Sequence, residues 1–242
     1  MPWPPAPENS GLEDVDDGTW LDLVRQCVTK FPRASAPGPS GLRPSHLQDA
    51  LRRRGGGLTL AAALARLCRL WCTGGLPQSH SPYWCGAQLI PLRKANNGVR
   101  PVAIGDTLRR LAGKVLLATG PSRQAVHKLA PIQVGVGVAG AAEAVAMTVQ
   151  GLVSELASTN DWVLLKVDLR NAFNCVSRHS LLQGAKALVP SAFSFLSYAY
   201  TQEAPLFLGN ETLWSRTGTH QGCPLGPLGF ALGIHDLVQG AA

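Results

Sequence analysis

Asp161-Trp162-Val163-Leu164-Leu165-Lys166-Val167-Asp168-Leu169-Arg170-Asn171-Ala172-Phe173-Asn174-Cys175-Val176-Ser177-Arg178 is the stretch on which the reading of this chain turns. The run from Trp162 to Val167 is short, apolar and partly β-branched, and it follows the turn-forming residues 158–161. That pattern predicts a buried strand with Lys166 as its only charge. Such a strand delivers one carboxylate, Asp168, to its C-terminal end, where Leu169, Arg170 and Asn171 turn the chain into a helical segment. A rigid strand end suits an acid that grips a metal, although an Asp in that place is more ordinarily a turn former or a helix N-cap. The remaining sequence has to decide between the two.

A chain of 242 residues with 45% apolar content supports one sizeable core or two small ones. No run of about 18 uncharged apolar residues occurs, so no membrane span is expected. The opening Met-Pro-Trp-Pro-Pro-Ala-Pro-Glu lacks the basic and apolar regions of a signal peptide, and the protein is read as intracellular. Cysteines 27, 68, 72, 85, 175 and 223 show no Cys-x-x-Cys spacing and are read as reduced thiols. A zinc site from Cys68, Cys72, His80 and Cys85 is the alternative, weakened because Cys68 and Cys72 share an otherwise apolar helical face.

The net charge of +7 is unevenly spread. Residues 1–24 carry six acids and no base, residues 25–133 carry seventeen Lys and Arg against Asp49 and Asp106, and residues 134–242 carry five bases and seven acids. A middle stretch with a net of +15 points to a polyanionic partner, nucleic acid or a triphosphate, against the plainer reading of a solvated basic surface.

Residues 1–18, rich in Pro and acids, are expected to be a mobile arm. Apolar spacing predicts a helix over 19–31, and Ser45 with Gln48 reads as a capping box for a helix over 46–54 that stops at Gly55-Gly56-Gly57. A further helix carries Leu60, Leu64, Leu67, Cys68 and Trp71 on one face and ends at Gly74-Gly75. Leu89 to Leu92 and Val99 to Ile104 flank Asn96-Asn97-Gly98, a hairpin that gathers Arg93, Lys94 and Arg100 near its tip. The next helix, N-capped by Asp106, buries Leu108, Leu111, Ala112, Val115 and Leu116 and sets Arg109, Arg110 and Lys114 on the other face. A short basic helix after Gly120-Pro121, helices over 141–156, 181–188 and 192–200, and a second hairpin about Gly209-Asn210 follow. That hairpin leads into Gly218-Thr-His-Gln-Gly-Cys-Pro-Leu-Gly-Pro227, a loop that lets backbone and Gln221 approach a ligand closely before the next helix begins.

Gly135-Val-Gly137-Val-Ala-Gly140 fits Gly-x-Gly-x-x-Gly and opens a helix, the outline of a dinucleotide-binding unit and hence of an oxidoreductase. Pro131 and Gln133 spoil the strand that should precede it, and Asp168 lies 28 residues beyond Gly140, where about 20 is expected. A Walker-type loop fails because Val115 follows Gly113-Lys114.

Three stretches, taken in order, resemble the reverse transcriptase domain of non-LTR retrotransposons. Leu89-Ile-Pro-Leu-Arg-Lys94 through Gly98-Val-Arg100-Pro101 to Leu108-Arg-Arg-Leu-Ala-Gly-Lys114 is similar to that family's fingers motif. Val167-Asp168-Leu169-Arg-Asn-Ala-Phe173-Asn is similar to its first catalytic palm motif, and Gln221-Gly-Cys-Pro-Leu-Gly-Pro227 with Phe230 to the motif beneath template and incoming base. Gln133 to Val136 and Gly140 to Glu143 resemble its linker, so the likeness runs over residues 36–239.

The resemblance implies an α+β, helix-rich right-hand polymerase fold with small antiparallel sheets: an N-terminal arm and short helix over 1–35, basic fingers over 36–133 and a partial palm over 134–242. It implies dNTP addition to a DNA primer on an RNA or DNA template, with Asp168 and the Leu169 carbonyl as ligands of Mg²⁺ or Mn²⁺ in the intact polymerase. Lys94 and Arg100 would hold the triphosphate, Phe173 the sugar, and Gln221 and Gly222 the nucleotide from the other side, while Arg109, Arg110 and Lys114 would bind nucleic acid. Cys223 stands where the family has an acid. The family's second palm motif, an aromatic residue with two adjacent aspartates, is missing, because no Asp-Asp pair follows Asp17. The chain is therefore expected to be a fragment, inactive by itself. The alternative is a retroelement-derived nucleic-acid-binding protein without catalysis.

Overall fold

The computed structural model describes residues 2–53, 55–95, 97–159 and 161–240. Arg54 of the expected helix end, Asn96 of the expected hairpin turn and Asn160 of the turn before the central stretch lie outside them. The fold is α+β. Its sheet joins β1 (Ala87–Arg93), β2 (Val99–Gly105), β3 (Ala204–Leu208) and β4 (Glu211–Ser215) in the order β2-β1-β3-β4. Both expected hairpins form with antiparallel register, Leu92 opposite Arg100 in one and Pro205 opposite Trp214 in the other. They do not make separate antiparallel sheets, because β1 runs parallel to β3 through Ala87 with Leu206 and Gln88 with Phe207.

Among the described residues the first helices are α1 (Asp17–Thr29), α2 (Pro44–Leu51), α3 (Gly57–Cys72), α4 (Ser81–Cys85), α5 (Thr107–Ala118) and α6 (Gly120–Val126). After them come α7 (Ala141–Leu156), α8 (Ala172–Cys175), α9 (Arg178–Leu188), α10 (Pro190–Tyr200) and α11 (Gly226–Gln239). The Asp106 carboxylate accepts the Leu108 amide at 3.0 Å and starts α5 as expected. Trp71, 1% exposed, meets Trp84 and Tyr198 edge-on at 5.3 and 5.7 Å and stacks on Phe195 at 6.0 Å. These ring pairs tie α3 to α10, and one core runs from Leu111 and Val115 to Leu181 and Leu196, across the expected boundary at 133–134.

Backbone contact decides how α9 meets α11. A Cβ on Gly184 would lie 2.5 Å from the Leu232 carbonyl oxygen, so only glycine lets the two helices come this close.

Several expectations are corrected. The N-terminal arm is docked, not free: Leu12 is fully buried and Trp3 stacks on His179 at 6.3 Å. Apolar side chains spaced among the prolines give it surface to bury. Helix α2 begins at Pro44, and Gln48 turns inward to donate to the Val28 and Phe31 carbonyls at 3.0 and 2.8 Å instead of capping. It thereby satisfies the end of α1.

The central stretch departs furthest. No strand forms over 162–169, and Val163, Leu165 and Val167 are 91%, 80% and 69% exposed. An apolar run without alternation needs cover on both faces and a ladder partner. The two hairpins complete a sheet in which no described strand pairs with it. It is held at one end by Trp162, whose indole N–H donates to the Leu156 carbonyl at 2.6 Å. Helix α7 likewise has no buried residue. No described helix is long and apolar enough to cross a membrane.

Candidate nucleotide and nucleic-acid site

The glycine-rich loop sits at the junction of three elements. On one side the Ala103 amide of β2 donates to the Gln221 carbonyl at 2.8 Å. Gly222 has φ +119°, and a Cβ there would lie 2.6 Å from the Ala103 carbonyl oxygen, so a side chain at 222 would push loop and strand apart. On the other side the Thr219 amide donates to the Phe173 carbonyl at 2.6 Å, the Gly218 amide to the Val176 carbonyl at 3.0 Å and the Thr217 hydroxyl to the Asn174 carbonyl at 2.9 Å. Phe173 stacks on Phe230 of α11 at 5.2 Å with 22° between the rings. Phe173, Gln221, Gly222 and β2, far apart in sequence, thus form one continuous surface.

At the free end of the β1–β2 hairpin, Arg93, Lys94 and Arg100 are exposed. Arg93 donates to the Asn97 amide oxygen at 2.7 Å, while Asn97 takes φ +59° to turn the chain. Among the described residues neither Lys94 nor Arg100 has an acidic partner. Strand alternation places Arg100 on the face of Leu92 and Arg93 on the opposite one with Val99. The tip therefore offers uncompensated positive charge on a strand that also touches the loop.

Asp168 is not brought into this surface by any bond. It is exposed, stands in irregular chain and makes no hydrogen bond or ion pair with a described residue, and Leu169 is 47% exposed. No group of three or more His, Cys, Asp or Glu side chains that could hold a metal occurs among the described residues. A pair of Mg²⁺ ions needs several oxygen donors on facing elements, and a lone carboxylate on an unpaired segment does not fit them. The zinc alternative fails likewise: Cys68, Cys72 and Cys85 are buried in the core, and burial pushes the Cys68 thiol up to about 12.

The three bases assigned to nucleic acid on α5 are engaged internally. Arg109 is 1% exposed, not surface-facing, because the end of α4 and the glycine-rich loop cover it: its guanidinium donates to the Cys85 carbonyl at 3.0 Å and lies 4.0 Å from the Cys223 sulfur. Arg110 donates to the Ala36 carbonyl at 2.7 Å, and the Lys114 ammonium lies 4.9 Å from the Phe31 ring centre.

Sequence reasoning passed over a buried polar group beside the loop: Arg178, Tyr200, Ser215 and His220. Tyr200 Oη accepts the His220 amide at 3.2 Å. Arg109 donates to His220 Nδ1 at 3.1 Å; a guanidinium cannot accept, so the imidazole is neutral and carries its proton on Nε2, 2.9 Å from the Ser215 hydroxyl. Burial, then Arg109 and Arg178, push the imidazole well below its ordinary 6.5. One signal was available. Arg178 is a cation in the first turn of a helix, where the dipole disfavours it, so something else must hold it there.

Comparison with known proteins returns no match: no family model fits the chain and no curated protein aligns with it. The Gly135-to-Gly140 segment builds no dinucleotide fold either. No described strand leads directly into it or directly follows its helix, and Glu143 sets a negative charge in the first turn of α7, where a phosphate would need to lie.

Proposed function

We propose that this chain is the nucleotide- and template-holding framework of a reverse-transcriptase-like polymerase, fingers and part of a palm, and that it binds without carrying out the chemistry unaided. The observation that carries the reading is the Ala103–Gln221 bond, which seats the glycine-rich loop on the strand whose free end bears Arg100 and faces Lys94. Basic tip, close-approach loop and the Phe173–Phe230 pair supply what a nucleotide requires: cations for phosphate, bare backbone for close contact and apolar ring surface for sugar or base. In this arrangement Lys94 and Arg100 bind the triphosphate, Gln221 and Gly222 lie along the nucleotide, and Phe173 shapes the floor beneath the sugar. No catalytic step is assigned to a metal, since no metal-holding group of His, Cys, Asp or Glu forms around Asp168 among the described residues.

The isolation of Asp168 favours a second reading, a nucleic-acid-binding protein in which that residue has no part. Two measurements on the intact chain separate the readings. Affinity for a single-stranded RNA oligonucleotide should fall with salt and weaken in Lys94→Ala/Arg100→Ala, the slope of log affinity against log salt dropping by about one for each phosphate no longer neutralised. Primer extension with Mg²⁺ or Mn²⁺ should be absent. Steady dNTP incorporation abolished by Asp168→Ala would contradict the claim that the chain is not catalytic unaided, and salt-independent binding would remove both readings.

A further inference from the structure

Two guanidinium groups are buried next to the glycine-rich loop, and among the described residues neither is bonded to a carboxylate. A buried cation is retained only where acceptors replace its water. Arg178, 7% exposed, has them in full. Its Nε donates to the Gly218 carbonyl at 3.0 Å, Nη1 to the Ser215 carbonyl at 3.2 Å and to those of Tyr200 and Gln202 at 3.4 Å. Its Nη2 donates to Ser215 Oγ at 2.7 Å and to the Thr217 carbonyl at 3.3 Å. Tyr200 is the last residue of α10, so the charge also sits at the negative end of that helix.

The fork therefore gathers the segment 215–218 onto the ends of α9 and α10. Ser215 Oγ passes the constraint on to His220 Nε2 at 2.9 Å, and His220 Nδ1 is held in turn by Arg109 at 3.1 Å. The next residue is Gln221, whose carbonyl bonds β2. This chain of side-chain bonds braces the loop beside the bonds by which Gln221 meets Ala103 and Thr219 meets Phe173.

We infer that Arg178, acting through Ser215 and His220, is a positioning residue that holds Gln221 and Gly222 against β2 and so keeps the loop in the shape that receives a nucleoside triphosphate. The assignment of a nucleotide rests on the function proposed above; the clamp itself does not. Arg178 touches no ligand and acts only on the loop.

Amide hydrogen exchange across residues 216–224 and equilibrium binding of a fluorescent dATP, measured on the same samples, test it. Ser215→Ala removes the shared acceptor with little change in volume, and Arg178→Lys keeps the charge but loses the fork. Both should raise exchange in the loop by about tenfold or more, leave exchange in α3 and α5 unchanged and weaken dATP binding by about tenfold. Ser215→Thr, which keeps the hydroxyl, should restore both, and Ser154→Ala on α7 should alter neither. Unchanged loop exchange in both Ser215→Ala and Arg178→Lys overturns the clamp. A loosened loop with dATP affinity intact overturns its link to the site. Failure of the unaltered chain to bind dATP contradicts the proposed function, and the exchange result then still decides the clamp.

Discussion

His220 shows how one side chain converts burial into a pH dependence. The groups facing it are Arg109 from α5, Arg178 from α9, Tyr200 from α10, and Ser215 and Cys223 from its own segment. None is an acid of ordinary strength, so a proton on the imidazole would add a third cation to two buried ones. The unfolded chain binds that proton near 6.5 while the folded chain resists it to a much lower pH. Below 6.5 the unfolded state therefore holds more protons, and stability falls as pH drops through that range. Denaturant unfolding should show a loss of about 1 kcal/mol between about pH 7.5 and about pH 5.5, absent in His220→Gln. Equal losses in both proteins would place the titration elsewhere. Gly184 is a second case decided at one residue. Gly184→Ala drives a Cβ to 2.5 Å from the Leu232 carbonyl oxygen and should cost about 1–3 kcal/mol by the same assay. Gly151→Ala on α7, with nothing within 4 Å, should be neutral or stabilise by about 0.5–1 kcal/mol.

Elements divide by whether local chemistry or distant partners decide them. The clearest case of the second kind is 162–169, where Val163 and Leu165 stand in water and the backbone has no ladder. Its amides should exchange near the rate of an unstructured peptide, while those of β1 and β3 are protected. Protection over 162–169 equal to β1 would mean that a strand forms there after all. This is also where legibility ends. Asp106 before an apolar helical stripe and Gly-Asn between β-like runs are local signals, and each element they mark is present. The strand was read from apolar content, which reports a need for cover but not whether the fold supplies it. The parallel join of β1 to β3 leaves no local trace at all. At the site, the hairpin bases and the loop were legible because glycine and charge act where they stand. Arg109 and Arg178 were missed or misplaced because helical spacing gives the face of a residue but not what packs on it. Packing of the loop and of neighbouring helices on α5 turned an expected surface into an interior.

For the whole molecule, the unequal spread of charge has a structural sequel. Part of the basic middle stretch is spent internally on Arg109, Arg110 and Lys114, while Lys94 and Arg100 are exposed and, among the described residues, without an acidic partner on the hairpin against which the loop is seated. On the proposed function, this hairpin tip and the glycine-rich loop are two walls of one nucleotide site. Photo-crosslinking with an azido-dATP, followed by peptide mass spectrometry of the intact chain, tests it most directly. Labelling should be confined to peptides containing Lys94 to Ala103 and Thr219 to Cys223 and be displaced by unmodified dATP. Labelling that dATP does not displace, or that falls on α7 and the Gly135-to-Gly140 segment, would contradict it.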